Sequence, residues 1–251
     1  MTHRPYPKPA SPWVMRQRWH NLCFMHWPIP AALLRPLIPP GLEVDTFDGT
    51  AWIAVVPFRM SDVAPRFIPA VPGLSAFPEL NVRTYVVRDG RPGVWFFSLE
   101  AANRLAVSIA RTWFSLPYYR ARMSLQREGE TITYASERIH TGARPAALRA
   151  RYRPVGPVFE ARPGSLEWFL TARYCLYVQG LPTVTETYRP DAPLLRAEIE
   201  HPAWPLRVAE AEIERVSMTE PVGLTLPHTR PLLHYVEDIR VHVWNPAPIP
   251  T

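Results

Sequence analysis

A chain of 251 residues with 47% hydrophobic and 12% aromatic side chains can bury a sizeable core, which excludes intrinsic disorder as its resting state. Of its 28 basic residues one alone is lysine, Lys8, in the proline-broken run Pro5-Tyr6-Pro7-Lys8-Pro9, so amine-based covalent chemistry from the core is all but excluded. The net charge of +6 comes from arginines scattered among acids with no basic run of five, so nucleic acid is not the expected partner.

Met1 to Pro12 form a proline-rich tail that lacks the apolar core of a signal peptide. No apolar stretch approaches the ~18 residues that span a bilayer, and a soluble, cytoplasmic protein is expected. Residues 13–245 are read as a single domain and 246–251 as a second short tail. Pro30 is placed to start a short helix through Ala31, Leu34 and Leu37, ended by Pro39-Pro40-Gly41. Glu43 to Phe47 and Ala51 to Phe58 flank Asp48-Gly49, a pair that accepts the positive φ angles of a type I′ hairpin turn. Val82 to Val87 and Val94 to Phe97 flank Arg88-Asp89-Gly90-Arg91 in the same way. A helix is expected over Ala101 to Phe114, where Leu105, Ile109 and Trp113 recur at helical spacing, with Pro117 beyond its end. A third hairpin joins Met123–Arg127 to Thr131–Ala135 around Glu128-Gly129-Glu130. Ser165 reads as the N-cap of a helix over Leu166 to Arg173. Leu195 to Glu200, Leu206 to Arg215 and Leu232 to Trp244 return to strand character. No alternating series of parallel strands and helices appears. The expected fold is therefore a β-rich α+β domain, a closed or half-closed barrel of mainly antiparallel strands with a few helices packed outside.

Glu79 stands where a loop, Gly73 to Pro78, enters a strand. A carboxyl group buried there would have a raised pKa and could serve as a general acid or base. The competing reading is a glutamate that is exposed, or paired with Arg83, which shares its face of the strand. Pro117 launches Tyr118 and Tyr119 onto the next strand, pointing to opposite faces, so one of them looks inward if the sheet closes. His26 and His201 are flanked by tryptophan and proline, as packed residues would be, and no pair of histidines has metal-ligand spacing. Cys23 and Cys175 match no metal or redox spacing and read as buried thiols.

Five stretches carry a family resemblance: Phe24 to Pro28, Leu42 to Asp45, Phe77 to Val86, Leu116 to Tyr119, and Arg173 to Tyr177. Together they span most of Arg16 to Trp244 and resemble the YqjF-like bacterial proteins, an uncharacterised family of the acetoacetate decarboxylase-like superfamily. The resemblance implies that superfamily's barrel. In the decarboxylases a Gly-Arg-Glu segment is followed by Pro-Lys-Lys, whose first lysine forms a Schiff base with a keto acid. That lysine falls on Tyr118 and its activating neighbour on Tyr119. The superfamily's pocket glutamate falls on Glu79, and its first-strand arginine falls on Arg18, counting back from Leu34 to Pro39.

A tyrosine cannot form an imine, so Schiff-base decarboxylation is not expected. The surviving set has Glu79 as proton shuttle, Tyr118 as hydrogen-bond donor, and Arg18 as an anion clamp that also lowers the Tyr118 pKa. Tyr119, Arg83 and His26 complete it as substrate-binding residues. Enolisation, hydration or dehydration, retro-aldol cleavage and hydrolysis all fit, with no cofactor and no metal. The expected partner is a small carboxylate or carbonyl compound, without nucleic acid or membrane, and a homo-oligomer is left open. The alternative is a non-catalytic binder or sensor on the same fold.

Overall fold

The computed structural model describes residues 3–71, 75–103, 116–179 and 192–249. Strands β1 (Met15–Ile29), β2 (Glu43–Val44), β3 (Ala51–Pro65), β4 (Phe77–Arg88) and β5 (Arg91–Ala101) come first. Next come β6 (Tyr118–Glu128), β7 (Thr131–Arg138), β8 (Ala147–Phe159), β9 (Cys175–Gln179), β10 (Leu194–Glu200), β11 (Leu206–Val216), β12 (Leu232–Val243) and β13 (Ala247–Pro248). Helix α1 (Ala31–Leu34) continues into a 3-10 turn over Arg35–Leu37, as the proline signals predict. Helix α2 (Leu166–Thr171) is capped by Ser165, whose Oγ accepts from the Trp168 N–H at 3.2 Å. Ser165→Ala should therefore cost about 1 kcal/mol in urea denaturation; an unchanged midpoint would mean that the cap contributes nothing.

The strands form one continuous sheet that closes on itself. Antiparallel pairing runs from β12 through β1, β3 and β4 to β5. From β5 a parallel pairing reaches β9 at Val94↔Leu176, and antiparallel pairings lead through β10 back to β12 at Ile199↔Val243. Gly93 permits the parallel contact, because a Cβ there would lie 2.7 Å from Cys175 Sγ and 2.7 Å from the Tyr177 ring. This ring encloses a core that includes Phe24, Phe58, Tyr85, Leu99, Tyr118 and Trp204. Its other face, with Cys23, Met25, Ile53 and Val82, packs against Ile132, Tyr134, Leu148 and Tyr152 of β7 and β8.

Two of the three expected hairpins form as read. Asp89 and Gly90, at φ 50° and 68°, turn β4 into β5 with Arg88 opposite Arg91, and Gly129 turns β6 into β7. The first hairpin differs. Asp48 and Gly49 adopt the expected positive φ angles, but only Phe47 and Thr50 pair across the turn. The upstream arm, β2, pairs with β4 at Glu43↔Val87 instead. Of the helix expected over Ala101 to Phe114, residues 104–114 lie outside the described residues, and Ala101 itself ends β5.

Alternation in β1 is broken by an irregularity that decides which of its side chains face the ring interior. Between His20 and Met25, β1 has one residue more than the stretch of β3 opposite it, and Asn21 adopts φ 49°. Met15, Gln17 and Trp19 face inward before this bulge, and Leu22 and Phe24 face inward after it.

Candidate functional site

The ring interior holds a cavity of about 310 Å³. That is roughly ten times the ~30 Å³ a water molecule occupies in the liquid, and at the small end of ligand pockets. Among the described residues its walls are mostly apolar, with Trp19, Phe58, Met60, Phe96, Leu176 and Trp204 prominent. Gln17, Ser75, Asn103, Thr171 and Arg173 are among its polar lining residues, and three more stand on β4, where two-residue alternation aims Glu79, Asn81 and Arg83 at the interior.

Glu79 is 2% exposed and accepts a hydrogen bond from the Tyr118 hydroxyl at 2.9 Å. Its backbone is held from behind, because Tyr134 of β7 donates to the Glu79 carbonyl at 2.6 Å. Burial pushes the Glu79 carboxyl up to about 8, although the Tyr118 hydrogen bond works in the opposite direction. Burial also raises Tyr118 far above its ordinary value, as does the neighbouring Glu79 charge. Tyr118 is thus a neutral phenol and a donor. The idea that an arginine lowers its pKa is overturned.

Arg83 is 7% exposed and carries no carboxylate partner among the described residues. Its Nη2 donates to the Leu170 carbonyl at 3.5 Å, its guanidinium lies over the rings of Phe24 and Tyr85, and its Nε is buried without a partner. The competing reading of Glu79 as one half of a pair with Arg83 is therefore not what the geometry shows. Asn81 Oδ1 is likewise buried and unpartnered. Arg173 also lines the cavity, but its charge is met by Asp45 and its Nε donates to the Phe169 carbonyl.

Three expected site residues lie elsewhere. Arg18 is on the outer face of β1, bonded through Nε and Nη2 to Asp238 at 2.6 and 2.8 Å. The bulge at Asn21 shifts the alternation of β1, so that Gln17 and Trp19 line the cavity and Arg18 does not. Tyr119 faces away from Tyr118, as the alternation predicts, and so cannot hold substrate in the cavity. Its ring lies 3.9 Å from the Arg138 guanidinium, beside the buried Arg138–Glu100 pair. His26 is fully buried and does not line the cavity; it stacks on Phe24 with Nε2 2.7 Å from the Tyr85 hydroxyl, and burial together with nearby Arg83 keeps it from protonating. Lys8 lies far from the chemistry, on Glu200 at 2.8 Å. Among the described residues no cluster of three metal-ligating side chains occurs, and no helix is long and apolar enough to cross a membrane.

A family model, DUF2071, described as an uncharacterized conserved protein, matches residues 16–240. The chain belongs to the DUF2071 family. Within it, the chain is 44% identical over 236 residues to uncharacterized protein YqjF of Bacillus subtilis, covering 94% of this chain and 93% of that one. Among solved structures it is similar to acetoacetate decarboxylase from Legionella pneumophila, with a TM-score of 0.64 and 15% identity over 98% of this chain and 92% of that one. It is also similar to the enduracididine biosynthesis enzyme MppR complexed with the condensation product of pyruvate and imidazole 4-carboxaldehyde, with a TM-score of 0.66 and 12% identity over 99% and 96% of the two chains. At these identities the likeness is one of fold: this DUF2071 protein has the acetoacetate decarboxylase-like architecture.

Proposed function

We propose that the cavity is the active site of an enzyme that moves a proton on a carbonyl or carboxylate compound, with Glu79 as acid and base and Tyr118 as hydrogen-bond donor to the reacting oxygen. The observation that carries this reading is the 2.9 Å contact between a buried carboxyl and a buried phenol at the wall of an otherwise apolar cavity. With its pKa raised to about 8, Glu79 can both release and accept a proton near neutral pH, the condition under which acid–base catalysis is most effective. Tyr118, held neutral, supplies a donor where negative charge would develop on an enolate or alkoxide oxygen. No amine reaches the cavity from Lys8, so the chemistry runs without an imine. The architecture shared with acetoacetate decarboxylase and MppR supports a small-molecule substrate. The ring draws strands from Met15 to Val243, which supports residues 13–245 as one domain, and the free, buried Cys23 and Cys175 suit a cytoplasmic setting.

The reading is tested by following α-proton exchange in D2O by NMR over a panel of oxo acids and ketones. Wild-type protein should exchange a subset of them. Glu79→Gln should slow that exchange by at least about 100-fold, and Tyr118→Phe by about the same factor. A compound exchanged equally fast by Glu79→Gln would overturn the assignment. Binding of such compounds without exchange would favour the sensor instead.

A further inference from the structure

We propose that the cavity takes an amphipathic organic acid, whose carboxylate seats on Arg83 and whose apolar body lies between Trp19, Phe58, Leu176 and Trp204. The inference rests on the assignment of Glu79 and Tyr118 as the reacting end and adds the identity of the opposite end. Its carrying observation is Arg83, 93% buried and lining the cavity, with Nε unpartnered, no carboxylate partner among the described residues, and only neutral groups, the Leu170 carbonyl at 3.5 Å and the Tyr85 hydroxyl, to meet its charge. A guanidinium withdrawn from water without a counter-charge is costly, and a carboxylate that meets it with two parallel hydrogen bonds offsets that cost. The nearby Arg173 cannot play this part, because Asp45 already neutralises it.

The spacing bears on the length of the molecule. Glu79 and Arg83 stand four positions apart, so their Cα atoms are separated by roughly 13 Å along an extended strand. The Arg83 guanidinium lies over Phe24 and Tyr85 and reaches Leu170, whereas Glu79 meets Tyr118. A carboxylate seated on Arg83 with a carbonyl at Glu79 and Tyr118 suits a molecule that carries apolar carbons between the two groups better than a keto acid with them on neighbouring carbons. The Trp19, Phe58, Leu176 and Trp204 side chains that line the cavity suit such a body. Asn81, midway and with Oδ1 unpartnered, offers an acceptor to a hydroxyl or amide on the same molecule.

The test uses butyrate, octanoate and 1-octanol as probes, read by calorimetry and by the fluorescence of Trp19 and Trp204, which stack at 6.1 Å beside the cavity. Octanoate should bind roughly 200-fold more tightly than butyrate, about fourfold for each of the four added methylenes. Arg83→Met should weaken octanoate by roughly 30-fold while leaving 1-octanol binding intact, which also shows that the cavity has survived. Arg83→Lys, which keeps the charge without the fork, should fall between them. Glu79→Gln should bind octanoate as wild type does, so binding and proton exchange fail independently. Octanoate bound no better than butyrate would overturn the apolar body, and equal octanoate affinity in Arg83→Met would overturn the seat. Arg83-dependent binding combined with exchange untouched in Glu79→Gln would leave this inference standing and remove the catalytic one.

Discussion

Glu79→Gln is expected to make the folded protein more stable at pH 9 by about 5 kcal/mol, and to change its stability little at pH 4. In the native state the carboxyl titrates near 8; in the unfolded chain it titrates near its ordinary 4.5. Between those values the folded protein holds a proton that the unfolded chain has released. Wild-type stability therefore falls as pH rises through this window, at ~1.4 kcal/mol per unit for the full difference in bound protons. Below 4.5 both states are protonated and the glutamine is close to isosteric. Above 8 the wild type must fold around a buried carboxylate with one tyrosine to solvate it, and the variant need not. Many other groups titrate over the same range, so the informative quantity is the difference between the two proteins in urea denaturation at pH 4, 6, 8 and 9. A difference that does not vary with pH would mean that Glu79 is not held protonated, and would take the proposed acid–base role with it. The same cost explains why such a residue suggests function. A core that needed only packing at this position would be better served by leucine, and keeping a carboxyl there trades stability for chemistry.

What could be read from the sequence follows the range over which its physics acts. Asp89-Gly90 and Glu128-Gly129 specify their hairpins because the positive φ requirement is met within two residues. Glu79 and Tyr118 were legible separately, one as an acid at a strand entrance and one as the inward member of a tyrosine pair. Their contact at 2.9 Å spans 39 residues of chain and required the ring. Arg83 was visible on the Glu79 face of β4 and was read both as that residue's partner and as a substrate-binding residue. Its solitude depends on what the rest of the ring leaves out. Arg18 failed for a local reason. It was assigned from the family resemblance by counting back from Leu34 to Pro39, across His20-Asn21; asparagine tolerates a positive φ better than most residues, and the bulge there leaves Arg18 on the outer face. Asp238, which holds Arg18 outside, lies 220 residues further along the chain. The partner of β2 was equally out of reach, since two residues cannot declare which strand edge they will join.

Arg4→Met should destabilise the protein by about 3 kcal/mol, although Arg4 sits in a stretch that reads from sequence as a proline-rich tail. Its side chain is 4% exposed and bonds Glu198 at 2.6 Å, Glu200 at 2.9 Å and the Ile199 carbonyl at 2.7 Å. Its guanidinium also lies over the rings of Tyr6 and Tyr174. Burial tends to raise the Glu200 carboxyl, but hydrogen bonds and charge from Lys8 and Arg4 hold it below its usual range. Removing Arg4 leaves two largely buried carboxylates to their remaining partners, Arg91 and Arg196 for Glu198, and Lys8 and His3 for Glu200. Those partners keep the loss from being larger. Lys8→Met, at a side chain 58% exposed, should cost less than ~1 kcal/mol and lose even that in high salt. The Arg4 effect should persist there, because buried pairs are screened little. The consequence reaches the cavity, because Ile199 lies between the two carboxylates on β10, lines the cavity, and pairs with Val243 where the ring closes. Truncating residues 1–12 should therefore lower the denaturation midpoint as Arg4→Met does and loosen that wall. Equal midpoints for wild type, Arg4→Met and the truncation would return the segment to the status of a tail.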